Sequence, residues 1–218
     1  MQHTFFIAPT DINTGLTSIS LGLIRAFDQL GLKVAICKPI AKTTENKRQR
    51  SIDLIAYATG MEPPAPISLK QAQSMMGEGK QDRLMEEVIA MHRRVRDDAD
   101  VVIVEGLEPD RSEPYAARLN VEMAKTLDAE IILVAAPEQR SMAQFKEHVE
   151  VVKNLFGGEK NRNLLGCIIN KVNAPKNPAI PIKSQGLVDA NPVSTEILKR
   201  QFNSLNSDNF NVLGLIPW

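Results

Sequence analysis

The chain has 218 residues, 43% of them hydrophobic, with 26 basic and 26 acidic side chains and a formal net charge of zero. That length suits one large α/β domain or two small ones, with a well-buried core, and the charge balance argues against a nucleic-acid binder, which needs a net basic face. No apolar run approaches the roughly 20 residues of a membrane span, and Met1-Gln2-His3-Thr4 has no basic stretch ahead of an apolar one, so neither a signal peptide nor a membrane anchor is expected.

The first element is a strand over 3–8, followed by Pro9-Thr10-Asp11-Ile12-Asn13-Thr14-Gly15-Leu16-Thr17-Ser18. An apolar strand, a polar loop, a glycine and a Thr-Ser pair opening a helix are the layout of a phosphate-binding loop. The helix runs over 16–30, with Leu16, Ile19, Leu23, Phe27 and Leu30 at helical spacing and Gly31 ending it. A second strand, 34–37, leads into Lys38-Pro39. The basic stretch with Lys42, Lys47, Arg48 and Arg50 reads as a solvated surface loop. A short helix over 52–59, a proline-rich loop over 61–67 and a helix over 68–77 capped by Ser68 come next.

A clearer helix covers 82–96, its stripe made by Leu84, Val88, Met91 and Val95. Arg93, Arg94 and Arg96 crowd its last turn, where the helix dipole favours cations, and His92 reads as a solvated member of that turn. The β-branched run 101–104 has the pattern of a strand buried on both faces of a parallel sheet, and it delivers Glu105-Gly106. Then follow a helix over 115–127, with Leu119, Met123 and Leu127 inward, and a buried strand over 130–135. Ser141 and Gln144 form a capping box that opens a helix carrying Met142, Phe145, Val149, Val152 and Phe156 on one face, stopped at Gly157-Gly158. A strand over 164–169 ends in Asn170-Lys171. An irregular segment with three prolines, 172–190, reads as a mobile surface loop. A helix over 191–202 and a short strand over 212–216 complete the chain.

This alternation predicts a three-layer, doubly wound α/β fold with a mostly parallel sheet, whose ligands bind at the carboxyl ends of the strands. The loop at 9–17, Lys38, Glu105 and Asn170-Lys171 all fall there. The candidate binding residues are Thr10, Asp11, Gly15, Thr17, Ser18, Lys38, Glu105 and Asn170. Gly15 and Thr17 stand where such a loop has its last glycine and its metal-binding hydroxyl, Asp11 or Glu105 is the candidate carboxylate, and Lys38 is a second phosphate-facing cation. Two residues depart from the pattern. Pro9 has no N–H to donate, and Leu16 stands in place of the lysine whose charge acts on the β and γ phosphates. Weak or absent nucleotide hydrolysis is therefore expected, and the loop either retains anion binding or serves only as a connection. If the lysine alone is missing, Leu16→Lys raises nucleotide affinity several-fold. No catalytic residue is assigned: neither a nucleophile elbow nor a Cys–His pairing is visible. Cys37 and Cys167 lie in apolar strands and read as reduced core residues. His3, His92 and His148 are scattered in the sequence, so no metal site is expected.

Together these residues resemble the dethiobiotin-synthetase-like branch of the phosphate-loop proteins. That branch carries Lys-Pro after its second strand and Glu-Gly after a central one, as Lys38-Pro39 and Glu105-Gly106 do here. Pro9-Thr10, Gly15-Leu16-Thr17-Ser18, Lys38-Pro39-Ile40-Ala41, Leu84-Met85-Glu86-Glu87 and Val104-Glu105-Gly106-Leu107 are similar, more closely, to the N-terminal domain of the long bacterial phosphate acetyltransferases. So are the stretch 124–131, Phe156-Gly157-Gly158, Ile169-Asn170-Lys171, Asn173-Ala174-Pro175 and Leu213-Gly214-Leu215-Ile216-Pro217-Trp218. In that subgroup the Gly-Leu-Thr-Ser variant is usual.

The resemblance implies one phosphate-loop-like domain over 1–218, with a middle and a catalytic domain beyond it. It also implies a parent enzyme that interconverts acetyl-CoA plus phosphate with acetyl phosphate plus CoA. This region is then regulatory and structural, tied to oligomer stability and to response to metabolites such as pyruvate, NADH and ATP. It requires no cofactor, retains at most weak nucleotide or anion binding, works within a cytoplasmic homo-oligomer and takes the remaining domains as partners. An ATP-dependent ligase like dethiobiotin synthetase and a pure oligomerisation module are the alternatives.

Overall fold

The computed structural model describes residues 2–42, 50–109, 115–138, 140–172, 200 and 202–217. Its elements, in chain order, are β1 (His3–Pro9), α1 (Leu16–Gln29), β2 (Val34–Cys37), β3 (Ile40–Ala41), α2 (Arg50–Thr59), β4 (Ile67–Ser68), α3 (Leu69–Gly77), α4 (Gln81–Arg96), β5 (Val101–Glu105), α5 (Tyr115–Thr126), β6 (Glu130–Ala135), α6 (Met142–Leu155), β7 (Leu164–Ile169) and β8 (Asn211–Leu215). Two 3-10 turns, Gly158–Lys160 and Asn203–Leu205, precede β7 and β8.

Six strands form one sheet in the order β2-β5-β1-β6-β7-β8, and every ladder in it is parallel. Alternate residues of each strand enter different layers. Ile7, Ile36, Ile103, Val134 and Ile168 meet Leu16, Ile19 and Ile24 of α1 and Ile55 of α2 in one apolar cluster. Phe6, Cys37, Val104, Leu133 and Cys167 join Leu84 and Val88 of α4, Leu119 and Met123 of α5, and Phe145 and Val149 of α6 in a second. Two clusters on the two faces of one sheet are the expected three-layer α/β fold. Each fully buried branched side chain contributes about 1.5–3 kcal/mol, so both helical layers are firmly held.

The caps follow the sequence. Ser68 accepts the Gln71 N–H at 3.2 Å, and Ser141 and Gln144 exchange both bonds of a capping box. Gly31, at φ +79°, turns the chain after α1 and donates its N–H to Asp28 O at 2.9 Å. Cys37 and Cys167 are buried free thiols, and burial pushes each up to about 12.

Four expectations are corrected. Leu30 is 74% exposed, because α1 ends before it and the chain turns away at Gly31; the buried stripe is Leu16, Ile19, Ser20 and Ile24. Arg50 belongs to α2 rather than to a loop, while Lys47 and Arg48 lie outside the described residues. The loop over 61–67 ends in β4, which pairs in parallel with β3 through Ile40 and Ile67 in a two-residue ladder too short to leave a periodic signal. Of the expected helix over 191–202, Arg200 and Phe202 are helical. The rest of it, and the irregular segment from 173 to 190, lie outside the described residues.

The fourth correction concerns His92. It is not solvated but buried against the sheet, hydrogen-bonded through Nε2 to Thr4 Oγ1 at 3.0 Å. Burial, and then the charge of Arg96, hold its pKa below the ordinary value. The unfolded chain therefore takes up a proton near the ordinary histidine value of about 6.5 while the folded chain still refuses it, so stability falls with pH below that point. His92→Gln is expected to flatten this slope. Urea midpoints at about pH 7 and pH 5 should differ less in the variant than in the parent; equal differences would mean that His92 is protonated freely in the fold.

Candidate functional site

The strand order sets five neighbouring carboxyl ends in a row: Lys38 after β2, Glu105 ending β5, the loop after β1, residues 136–138 and 140–141 after β6, and Asn170 after β7. In register, Ile7 faces Glu105 on one side, and Pro9 faces Val134 on the other. The loop over 10–15 is thus fixed between two strands, and Thr10 N donates to Val134 O at 2.9 Å.

Gly15 is the N-cap of α1 at φ +79°, a conformation that side chains with a Cβ rarely take. Space requires glycine there as well, since a Cβ would stand 2.3 Å from Asn170 Nδ2. That amide donates to Thr14 O at 2.8 Å, and Lys171 Nζ donates to Asn13 O at 2.6 Å. Asn170 and Lys171 therefore hold loop carbonyls, bracing the turn from the β7 side.

Leu16 begins the helix and is 1% exposed, within the apolar cluster that α1 shares with the sheet. Its side chain serves as a core residue, and position 16 supplies no cation to the loop. One residue on, Thr17 Oγ1 donates to Glu105 Oε1 at 3.1 Å. The same oxygen accepts from Lys38 Nζ at 2.6 Å, and Lys38 reaches Ser51 Oγ on α2 at 3.0 Å. Glu105 is fully buried and Lys38 nearly so. Two candidate phosphate-site groups, Lys38 and Thr17, thus converge on one carboxylate oxygen. Glu105 Oε2 and Thr14 Oγ1 are buried without a hydrogen-bond partner among the described residues. Beyond Glu105 the backbone is held tightly. Gly106 N donates to Ile7 O at 3.0 Å, and the buried Asn120 amide bonds both Leu107 N and Leu107 O at 2.8 Å.

On the β6 side, Asp11 Oδ1 accepts from Ile12 N at 2.8 Å, and Oδ2 takes a hydrogen bond from Arg140 Nη2. His148 Nε2 donates to Thr10 O at 3.0 Å and lies 3.8 Å from Asp11 Oδ2. Burial raises the Asp11 pKa, but the Ile12 N–H and the hydrogen bond and charge of Arg140, with the charge of His148, outweigh it and hold the carboxyl below its ordinary value. Ser18 stands exposed on the first turn of α1.

The structure thus links Thr17, Lys38 and Glu105 directly and brings Asn170 onto the loop beside Gly15. Thr10 and Asp11 belong instead to an arrangement with His148 and Arg140, residues the sequence reading did not select. Ser51 was missed as well. The set does not fit a magnesium nucleotide in the usual way: Leu16 lies in the core, and Lys38 and Thr17 share a carboxylate oxygen. Among the described residues no group of three or more His, Cys, Asp and Glu is placed to hold a metal ion.

Residues 3–218 match the family model described as AAA domain. The chain is 44% identical over 219 residues to a phosphate acetyltransferase of Pseudomonas aeruginosa, covering 100% of this chain and 30% of that protein. It is 34% identical over 229 residues to a phosphate acetyltransferase of Escherichia coli (strain K12), covering 100% of this chain and 31% of that protein. It therefore spans 30% to 31% of the length of these curated relatives. Among solved structures, the signal recognition particle receptor FtsY from Elizabethkingia anophelis aligns with a TM-score of 0.50 and 19% identity, over 81% of this chain and 52% of that one. At that identity the likeness is one of fold.

Proposed function

The chain belongs to the AAA domain family and is homologous to the N-terminal part of phosphate acetyltransferases, and from that premise we propose that it is the regulatory and structural N-terminal domain of such an enzyme, without catalysis of its own. Acetyl transfer then belongs to middle and catalytic domains beyond residue 218. The working protein is a cytoplasmic homo-oligomer whose remaining domains are this domain's partners. No helix among the described residues is long and apolar enough to cross a membrane.

One observation carries the reading: the phosphate loop is kept as architecture while its charges are turned inward. Leu16 packs in the core, and Lys38 is committed to Glu105 at 2.6 Å. A phosphoryl-transfer site needs cations aimed at the charge that develops in the transition state, and this arrangement aims its buried lysine at a carboxylate. An ATP-dependent ligase like dethiobiotin synthetase is the second reading, favoured by the shared loop layout and by Glu105 Oε2, which has no hydrogen-bond partner among the described residues. A pure oligomerisation module is the third.

Calorimetric titration with ATP and Mg²⁺ separates them. The expected result is binding weaker than micromolar and no turnover heat. Micromolar binding with turnover would favour the ligase, and no binding of any nucleotide or anion would favour the oligomerisation module.

A further inference from the structure

Between the C-terminal parts of α1 and α2, beside the start of β2, lies an open groove of about 720 Å³. It sits at the amino ends of the strands, across the sheet from the loop after β1. Leu21, Ile24, Leu32 and Met61 give it an apolar lining. Large apolar side chains project beside it. Leu54, Tyr57 and Ala58 share one face of α2 by helical spacing, and Ala58 lines the groove. Tyr57 is 91% exposed, and Leu54 is exposed with it. Leu30, also exposed, lies between Asp28 and Gly31, both in the lining. An apolar hollow beside a projecting ring and two leucines is more than the single surface residues a monomer normally leaves bare. Four charged residues line the same groove: Arg25, Asp28, Lys33 and Asp98. Arg25 and Asp28 pair with each other at 3.2 Å. Lys33 and Asp98 make no ion pair among the described residues.

We propose that this groove seats a second copy of the chain, in a twofold dimer in which Tyr57 of each copy fills the hollow of the other and Lys33 of each meets Asp98 of the other. The inference rests on the homo-oligomer reading and assigns it a surface. Its carrier is self-complementarity. One face holds a projecting ring and a hollow, an unpaired cation and an unpaired anion. A copy rotated by half a turn presents each of these to its complement, as a twofold interface requires. A partner of one charge sign would leave either Lys33 or Asp98 against its like. The chain's formal net charge of zero also sets up no long-range repulsion between copies. Tyrosine suits the central contact, because its rigid ring brings a large contact area with little rotamer entropy to lose. Exposed charge pairs contribute little affinity, so Lys33 and Asp98 fix the register of the two copies while Tyr57 holds them together.

Sedimentation equilibrium of the 218-residue chain is the test, and a monomer–dimer equilibrium is the expected result. Tyr57→Ala, at a side chain that the fold itself leaves in water, should raise the dissociation constant about tenfold or more. Lys33→Glu and Asp98→Lys should each weaken the dimer, since each sets like charges against one another across the twofold axis. An equimolar mixture of these two variants should recover the dimer, because both contacts of the mixed pair again join a cation to an anion. The recovery also guards against a variant that merely misfolds. A mixture that associates no better than either variant alone overturns the proposal. So does association that Tyr57→Ala leaves unchanged, and in both cases the homo-oligomer reading stands on some other surface. A chain that stays monomeric at every concentration gives the groove to a different occupant; it overturns the proposal and removes self-association of this domain from the reading as well.

Discussion

Lys38→Met is expected to lower the unfolding free energy by about 3–5 kcal/mol, the usual cost of removing one partner from a buried ion pair. Glu105 is fully buried, and its Oε1 accepts from Lys38 and Thr17. Its Oε2 has no partner among the described residues, so removing the ammonium leaves a buried carboxylate with one hydroxyl donor. For a chain of this size the loss corresponds to a fall of roughly 6–20 °C in Tm. Lys38→Met combined with Glu105→Leu should recover most of it, because apolar pairs of similar volume replace buried ion pairs with little or no penalty. Urea denaturation of the parent, both single variants and the pair gives the coupling directly. A loss below about 1 kcal/mol for Lys38→Met would show the pair to be solvated, as surface pairs are.

Leu16→Lys tests the loop from the other side. Sequence alone suggests that restoring the lysine raises nucleotide affinity. The structure reverses this, because Leu16 is 1% exposed and shares its cluster with Ile7, Ile19, Ile36 and Ile103. Removing a buried leucine forfeits about 1.5–3 kcal/mol, and an ammonium in its place must be desolvated or dragged toward the loop. The expected result is a loss of about 2–4 kcal/mol in stability with no increase in affinity for magnesium ATP. Leu16→Met, which keeps volume and polarity, should cost less than about 1.5 kcal/mol. An unharmed Leu16→Lys with several-fold tighter binding would place side chain 16 in the loop rather than in the core.

The fold was legible where burial is continuous. β5, β6 and β7 are short apolar runs covered on both faces, and their bounds follow from composition. Ser68, Ser141 and Gly31 marked helix ends because capping is local chemistry. The strand ends named Lys38, Glu105 and Asn170 correctly as neighbours of the loop, since topology alone converges them. What they bond was not legible. Thr17 and Glu105 are 88 residues apart in sequence, and Arg140 and Asp11 are 129 apart. No periodicity encodes such pairs. Leu16 stands in two patterns at once, the lysine position of the motif and the head of the apolar helical stripe. It is the first position of the stripe that continues through Ile19 and Ile24, and that stripe decides where its side chain goes. His92 was misplaced for a related reason: its basic neighbours Arg93 and Arg94 suggested water, whereas helical spacing from Val88 put it inward.

The most direct test of the central claim is phosphate release from millimolar magnesium ATP by the 218-residue chain. With Leu16 in the core and Lys38 held by Glu105, no release above the buffer rate is predicted. Steady release that disappears in Glu105→Gln would contradict the account, because it would mean that the buried carboxylate serves a working phosphoryl-transfer site.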